Sequence, residues 1–461
     1  MAKKEDFRAY AEQLVDKARS TLRTLTSLST AVKNETLLKI AELIQERRDY
    51  IKVENEKDLK RAREKKLKPS LIDRLTLTDS RIDGMIKVLK DVAALRDPVG
   101  EVVKAWDLPN GLKVGRMRVP LGLVFIVYEA RPNVTIEATA LCIKSSNAVV
   151  LRGGREALNT NRALVEIVKE ACELTGYPKE AVQFVDRPER EIVWEILKME
   201  GKVDVAIPRG GEGLIKAVVE HARVPVIKHY KGVCNIFVDE YADLEKAFNV
   251  VYNAKVQRPS VCNAVENLII HRNILHEFWP QMAFYLGKAG VELRCDEESL
   301  KVIKSDKRLS FVKAKPATEE DYYEEFLDLI LAVKVVGSLD EAIAFIEKYG
   351  SKHSDAIVTE NYTNAKKFLR EVDSAVVYAN ASTRFTDGNE LGLGAEMGIS
   401  TDKIHARGPM ALEELTIPKF VVLGEGQVRD GFGVPEEFKK EWQEKQKSGG
   451  LGRIIDWLLG D

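Results

Sequence analysis

The chain predicts an α/β fold built on parallel sheets, and three features of its 461 residues carry that prediction. Short apolar runs recur from Leu121 onward, amphipathic stretches of helical length separate them, and a long helical region precedes them. Strands joined by helical crossovers pair in parallel, and a parallel sheet is covered on both faces, so its strands read as near-continuous apolar runs.

The helical region spans residues 5–66, where Leu37, Leu38, Ile40, Ala41, Leu43 and Ile44 recur at helical spacing among charges. Residues 107–119 (DLPNGLKVGRMRV) then read as a hairpin around Asn110-Gly111, a pair that readily takes the positive φ angles of a tight turn. The strand candidates LVFIVY, NAVVLRG, VQFVD, VDVAIP, VPVIKHY and CNIFVD follow. A helix after Arg155 places Leu164, Ile167, Val168, Ala171 and Leu174 on one face. Past Cys262 the alternation resumes with NLIIH, VELRC, DAIVTE and SAVVYAN, and with a helix across Leu339–Tyr349. After FVVLGEGQVR the chain turns charged (EEFKKEWQEKQK), passes Ser448-Gly449-Gly450 and ends GLGRIIDWLLGD. This tail either packs on its own oligomer, stays disordered, or docks a partner through Ile454, Ile455, Trp457, Leu458 and Leu459.

Composition excludes several functions. Lys+Arg number 71 against 72 Asp+Glu, a net charge of -1, so no chain-wide basic field exists for nucleic acid or an anionic membrane. The charged N-terminus lacks the apolar core of a signal peptide, and no run of about 18 apolar residues would span a bilayer. A cytoplasmic location is expected. Cys142, Cys172, Cys234, Cys262 and Cys295 lie at least 28 residues apart with no CxxC, which argues against a disulfide framework and a structural zinc. His221, His271, His276, His353 and His405 show no ligand spacing, so no metal is expected, and neither GxSxG nor GxxxxGK[ST] occurs.

Cys262 is the candidate nucleophile. Its neighbours in VQRPSVCNAVENLIIH include polar Gln257, Arg258, Ser260 and Asn263, which suit a loop or helix end better than a core stripe. Cationic Arg258, and backbone N–H groups if the segment opens a helical turn, would favour a thiolate. VQRPSVCNAVENLIIH resembles the nucleophile segment of γ-glutamyl phosphate reductases, a branch of the aldehyde dehydrogenase superfamily. VPLGLVFIVYEARPNVTIEA, KSSNAVVLRGGREA, AIPRGGEGLI, HYKGVCNIFVD, YGSKHSDAIVTEN and NASTRFTDGNELGLGAEMGIST are similar to that family in its order, and the resemblance covers roughly residues 5–430. Phe345 stands where the family usually shows histidine, at a position expected in a helix.

The resemblance implies an aldehyde-dehydrogenase-like α/β fold, with two Rossmann-like parallel-sheet domains and a β-strand oligomerisation flap. It also implies reduction of γ-glutamyl phosphate by NADPH through a Cys262 thioacyl intermediate, a step of proline biosynthesis. Residues 1–105 and 119–255 would form the NADPH-binding domain, 256–404 the catalytic domain, 106–118 and 405–430 the flap, and 431–461 the tail. Further partners would be a second copy of the chain and, functionally, glutamate 5-kinase, with neither nucleic acid nor membrane involved. Two alternatives stand beside it: another acylating aldehyde dehydrogenase of the superfamily, and a non-catalytic scaffold.

For the cofactor, no GxGxxG follows a first strand. NAVVLRGG and AIPRGGEGLI instead end strands with Arg152-Gly153-Gly154 and Arg209-Gly210-Gly211. Glycines there either only turn the chain or let backbone amides and a helix N-terminus meet a diphosphate. The resemblance puts Arg152 on the adenosine ribose, where a guanidinium can fork onto a 2′-phosphate and favour NADP, with Ser145 and Ser146 as weaker candidates. It puts Glu325 on the nicotinamide ribose, although the surrounding acidic run also suits a solvated charge. The segment that carries a water-activating glutamate in hydrolytic relatives is here His229-Tyr230-Lys231-Gly232, without a carboxylate, which spares the thioester for hydride. His229 would act as an acid or simply pack.

The resemblance matches Glu129-Ala130-Arg131-Pro132-Asn133 to the stretch that carries the superfamily's oxyanion-hole asparagine, so either Arg131 or Asn133 would supply that contact, beside the Cys262 backbone N–H. Asn263, Asn380, Ser382, Thr383 and Arg384 are candidate substrate donors, with Asp387 or Glu390 to meet an α-ammonium; the bland alternative is that they only shape a loop.

Overall fold

A computed structural model describes residues 2–228 and 231–446. Those residues fall into two compact units: one of the described residues within 2–99 and 119–417, the other of residues 100–118 and 418–446.

The larger unit opens with six helices, α1 (Ala2–Ser20), α2 (Leu22–Leu25), α3 (Thr30–Glu46), α4 (Arg48–Glu64), α5 (Pro69–Leu75) and α6 (Asp79–Ala94). The single helical region expected over 5–66 is thus several helices. Ser29 and Thr78 cap α3 and α6 by accepting the N–H groups of Val32 and Arg81. The predicted stripe of α3 is buried through Leu37, Ile40, Ala41, Leu43 and Ile44, while Leu38 faces solvent.

The smaller unit holds β1 (Val102–Asp107) and most of β2 (Lys113–Pro120), antiparallel, with Asp107 opposite Lys113. The expected hairpin is there, but only Gly111 takes a positive φ (+87°). Gly111 N–H bonds to Leu108 O and Leu112 N–H to Asn110 Oδ1, so Pro109 and Asn110 stay on the ordinary side of φ and one glycine makes the reversal.

The α/β run of the larger unit follows: β3 (Leu123–Tyr128), α7 (Asn133–Lys144), β4 (Ala148–Arg152), α8 (Leu158–Thr175), β5 (Val182–Phe184), α9 (Arg190–Leu197), β6 (Val205–Arg209) and α10 (Glu212–His221). These strands form a parallel sheet in the order β5-β4-β3-β6, and helices from both halves of this region close over it in one core. Leu174 departs from its expected face: it is 63% exposed, because α8 ends within two residues at left-handed Gly176. VPVIKHY is not a strand. Its Pro225 and Ile227 reach Ala206 of β6 only through a short bridge, and its last two residues lie outside those described.

A second, seven-stranded parallel sheet contains β7 (Cys234–Val238), β8 (Val265–His271), β9 (Glu292–Cys295), β10 (Ala314–Pro316), β11 (Ile330–Val336), β12 (Ser354–Val358) and β13 (Val376–Ala379), in the order β10-β9-β11-β8-β7-β12-β13. Interleaved are α11 (Leu244–Val256), α12 (Leu275–Lys288), α13 (Glu297–Ser305), α14 (Leu339–Tyr349) and α15 (Tyr362–Glu371). Phe345 packs in α14 against Tyr322 and Tyr349.

Two expected boundaries move. Residues 234–255, placed with the first domain on sequence, contribute β7 and α11 to the second sheet, because β7 pairs with β8 and β12. Residues 395–415, split between catalytic domain and flap on sequence, return to the first core through Ala395, Met397, Met410, Leu412 and Leu415. A two-strand ribbon of β14 (Ile399–Ser400) and β15 (Gly408–Pro409) fixes that return. Most of β16 (Thr416–Leu423) then joins β1 and β2. Residues 436–446 are helical, whereas Ile454, Ile455, Trp457, Leu458 and Leu459 lie outside the described residues. Among the described residues no helix is long and apolar enough to cross a membrane.

Candidate active site

Cys262 sits in the turn between α11 and β8, at the N-terminal edge of the second sheet. This is a turn into a strand, with Ala264 N–H bonded to Val261 O, and not the helix start that would have aimed several amides at the sulfur. Of the five cysteines only Cys262 is reached by solvent. Burial pushes Cys172 and Cys295 up to about 12, and raises Cys142 and Cys234 as well. Cys234 Sγ donates to the Cys262 carbonyl oxygen at 3.2 Å. Gly232 lies against the same peptide: a Cβ on it would stand 2.1 Å from Cys262 O.

A neighbouring segment braces this turn. Thr383 Oγ1 donates to Asn263 O at 2.7 Å, and Asn263 Nδ2 donates to Thr386 O at 2.9 Å and to Arg384 O at 3.3 Å. Arg384 in turn bonds Asn263 Oδ1 and Gln257 Oε1. Asn263, Ser382 and Thr383 are all buried, with Ser382 Oγ accepting Arg384 N–H, so the structure gives these three a bracing geometry. Burial and then Arg258 lower the Arg384 pKa, while Asp387, Cys262 and Glu390 act to raise it, so those groups share its surroundings. Asn380 falls elsewhere. It follows the C-terminal end of β13 with a φ of +56°, and its amide pairs with both the N–H and C=O of Thr359 at 2.9 Å. That is the opposite edge of the sheet from Cys262, because β13, β12, β7 and β8 all run parallel.

The C-terminal edge of the first sheet supplies the cations. Arg131 follows β3 and is open to solvent though walled by protein; that crowding, then Arg209 and Arg74, lowers its pKa to about 10, while Cys262 and Glu137 act to raise it. The guanidinium stays protonated at neutral pH. Its surplus of positive neighbours makes this a place that an anion would relieve. Asn133, at the start of α7, donates to Glu137 Oε1 at 2.7 Å, so of the two oxyanion candidates Arg131 is the less committed. Arg209 lies over Gly398, where a Cβ would stand 2.8 Å from Arg209 Nη1.

Glu396 was missed on sequence, although a lone carboxylate inside GLGAEMGIST was a visible signal. It accepts Gly388 N–H at 3.1 Å. Burial raises its pKa to about 7 against the pull of Arg209, with Asp387 and Glu137 adding to the rise. A carboxyl raised in the folded chain costs nothing below its unfolded value, and the cost grows as pH climbs to the folded one. Glu396→Gln is therefore expected to match the wild type near pH 4.5 and to exceed its stability by roughly 3 kcal/mol above pH 7. Urea unfolding across that range checks this, and a difference independent of pH contradicts it.

The two arginine–glycine strand ends differ. At the first, Gly153 is demanded by packing: a Cβ would meet Asn161 Nδ2 at 2.1 Å and Tyr128 Cε2 at 2.9 Å. The start of α8 is already capped by Asp58, which accepts the N–H groups of Asn159 and Thr160. Arg152 remains, bonded to Gly153 O and Pro188 O, with a buried Nε that has no partner. Ser145 and Ser146 cannot join it. They are buried between α7 and the N-terminal end of β4, with Ser145 Oγ bonded to Leu141 O at 2.6 Å, whereas Arg152 ends the strand.

The second end is an anion cradle. Gly211 N–H donates to Glu129 Oε2 at 2.9 Å, and a Cβ on Gly210 would stand 2.7 Å from Glu129 Cδ. A carboxylate thus stands in at the N-terminus of α10, where backbone amides and the helix dipole favour negative charge. The position lies beyond β3 and β6, where the strand order of the first sheet reverses. These donors fit a dinucleotide diphosphate. Glu325 lies before β11, and burial raises its pKa, while the Gly232 N–H, His353 and Lys231 act to lower it. Gly232 joins Glu325 to Cys262. Of the remaining candidates, Lys231 lies within 3.5 Å of Glu324 and His229 is outside the described residues. Among the described residues no group of three or more His, Cys, Asp or Glu side chains is placed to hold a metal.

The sequence model of the aldehyde dehydrogenase family matches residues 4–300. The chain is 78% identical to the gamma-glutamyl phosphate reductase of Aquifex aeolicus (strain VF5), over 94% of this chain and 100% of that protein. The chain belongs to the gamma-glutamyl phosphate reductases of the aldehyde dehydrogenase family. Its identity to the gamma-glutamyl phosphate reductase of Sulfurihydrogenibium sp. (strain YO3AOP1) is 64%, over 94% of this chain and 97% of that one. The crystal structure of gamma-glutamyl phosphate reductase from Thermotoga maritima superimposes with a TM-score of 0.87 at 48% identity, covering 91% of this chain and 100% of that one. The fold expected on sequence is thus that of the aldehyde dehydrogenase family, with two parallel sheets.

Proposed function

We propose that this gamma-glutamyl phosphate reductase family member reduces L-glutamyl 5-phosphate to L-glutamate 5-semialdehyde and phosphate with NADPH, the second step of proline biosynthesis from glutamate. The observation that carries the reading is one solvent-reached thiol set among Arg131 and Arg384 and joined through Gly232 to Glu325. Cys262 Sγ attacks the γ-carbonyl, a carbon–sulfur bond forms, and the phosphate leaves with the electron pair of the carbon–oxygen bond. Arg131, Arg209 and Arg384 favour the anionic acyl phosphate before attack and the departing phosphate after it. The Cys262 backbone N–H and Arg131 are the donors for the developing oxyanion.

NADPH, when bound, supplies the hydride that turns the thioester into a thiohemiacetal. Gly210 and Gly211 would hold its diphosphate in place of Glu129, Arg152 the 2′-phosphate, and Glu325 the nicotinamide ribose. As the hydroxyl of the thiohemiacetal loses its proton, the carbon–sulfur bond breaks and Cys262 returns as thiolate. The segment His229-Tyr230-Lys231-Gly232 itself carries no carboxylate to activate water against the thioester. The first sheet with its helices would serve the cofactor and the second would carry the nucleophile.

The three-stranded sheet suits contact with a second copy. Its order β1-β2-β16 leaves β1 and β16 at the edges, and Val102, Val103, Phe420 and Leu423 expose apolar surface there. The substrate's origin makes glutamate 5-kinase the natural functional partner.

An assay in the reverse direction tests the reading. Glutamate semialdehyde with phosphate is expected to yield NADPH from NADP, and to do so faster than NADH from NAD, followed by the absorbance of the reduced nicotinamide. Dependence on coenzyme A in place of phosphate, or preference for short aliphatic aldehydes, would overturn it in favour of another acylating dehydrogenase.

A further inference from the structure

Two buried ions have no part in the chemistry derived above. Lys255 and Glu266 are both 0% exposed and meet at 2.6 Å. Lys255 belongs to the last turn of α11 and Glu266 is the second residue of β8, so the pair closes the base of the turn that carries Cys262. Glu266 Oε2 faces the ammonium, while Oε1 accepts Leu327 N–H at 3.2 Å. Leu327 has a φ of +53°, in the left-handed region that a leucine rarely occupies. It lies two residues beyond Glu325, whose carboxyl feels the Gly232 N–H. One carboxylate therefore ties together the end of α11, the start of β8 and the loop that carries Glu325.

The pair is poorly explained by stability alone. Burial pushes Glu266 up to about 7 and Lys255 down, against their mutual attraction. Well-packed apolar residues in place of such a pair are commonly neutral or stabilising. A backbone in a disfavoured conformation persists only where its surroundings hold it, and Glu266 supplies one such hold through Leu327 N–H.

We propose that Glu266, oriented by Lys255, is a positioning residue: it holds Leu327 in its left-handed conformation and thereby sets Glu325 against the cofactor ribose and the Cys262 turn. This rests on the proposed ribose role of Glu325. The test replaces both ions, as Lys255→Met with Glu266→Met, and reads melting temperature and NADPH affinity in the otherwise intact chain. The melting temperature is expected to be no lower than that of the wild type, and NADPH affinity to fall about fivefold or more. In a Glu325→Ala background the same two substitutions are expected to change affinity by less than about twofold, because the tie then has nothing to place. Lys255→Met with Glu266→Gln restores an acceptor for Leu327 N–H and is expected to restore affinity. Equal losses with and without Glu325, failure of the Gln variant to rescue, or loss of folding in the apolar pair would overturn the inference. If Glu325→Ala alone leaves NADPH affinity unchanged, the ribose role of Glu325 is what fails.

Discussion

Cys262→Ala is expected to turn over at least about 10⁴-fold more slowly than the wild type while binding NADPH with nearly the same affinity. The size of the effect follows from the cysteine inventory. Cys142, Cys172, Cys234 and Cys295 are buried, and burial holds their thiols protonated well past neutral pH, so none can take over. Cys234 is nearest in bonding, but its Sγ is spent on the Cys262 carbonyl oxygen and lies in the core. Alanine removes one sulfur from a solvent-reached turn and leaves the proposed cofactor contacts Gly210, Gly211, Arg152 and Glu325 in place, so cofactor affinity has no reason to move. Single-turnover kinetics and NADPH binding check the two halves separately. A thiol-alkylation experiment adds a third readout: the folded wild type is expected to take up one equivalent and the variant none. Turnover retained within about tenfold would remove the covalent route.

The parts of this site that were legible in the sequence are those written in consecutive residues. The nucleophile turn, the two arginine–glycine strand ends and the helix at Leu339–Tyr349 each announce themselves within one short window. Strand β11 did not, although it pairs with both β8 and β9, because Lys334 interrupts its apolar run and an acidic stretch precedes it. Function built across long separations was also hidden. Ser145 and Ser146 share a motif with Arg152, yet the strand between them carries the arginine to the other edge of the sheet. Asn380 shares a motif with Arg384, and there the chain reverses between them. Proximity along the chain suggested a common role in both cases, and strand direction removed it. Glu129 carries the opposite lesson: it reads as an ordinary residue after a strand, and only the pairing of β3 with β6 brings its carboxylate to Gly211.

Gly232→Ala is expected to be the most damaging substitution outside the nucleophile itself, lowering kcat by about 10²-fold. Nothing in its backbone angles requires glycine, since its φ is not in the left-handed region. The requirement is spatial. A methyl group would stand 2.1 Å from the Cys262 carbonyl oxygen and 2.7 Å from its carbon and Cα, where ordinary contact begins at 3.4 Å. Those atoms are backbone, so no side chain can rotate away and the Cys262 turn must shift by about 1 Å. The N–H of the same residue acts on the Glu325 carboxyl, so the shift reaches that proposed cofactor contact together with the sulfur. The turn cannot yield freely either, because Thr383, Asn263 and Arg384 brace it from behind. Overpacking of this kind costs about 1–3 kcal/mol of stability, well short of unfolding a chain of this size, which makes the kinetic loss readable. Gly84→Ala is the matched control: it lies within α6 with nothing within 4 Å of the added methyl, and is expected to leave kcat unchanged and raise stability by about 0.5–1 kcal/mol. A Gly232→Ala chain with kcat within about threefold of wild type would show that the peptide of Cys262 moves without moving its sulfur, and that the nucleophile is placed by something other than this contact.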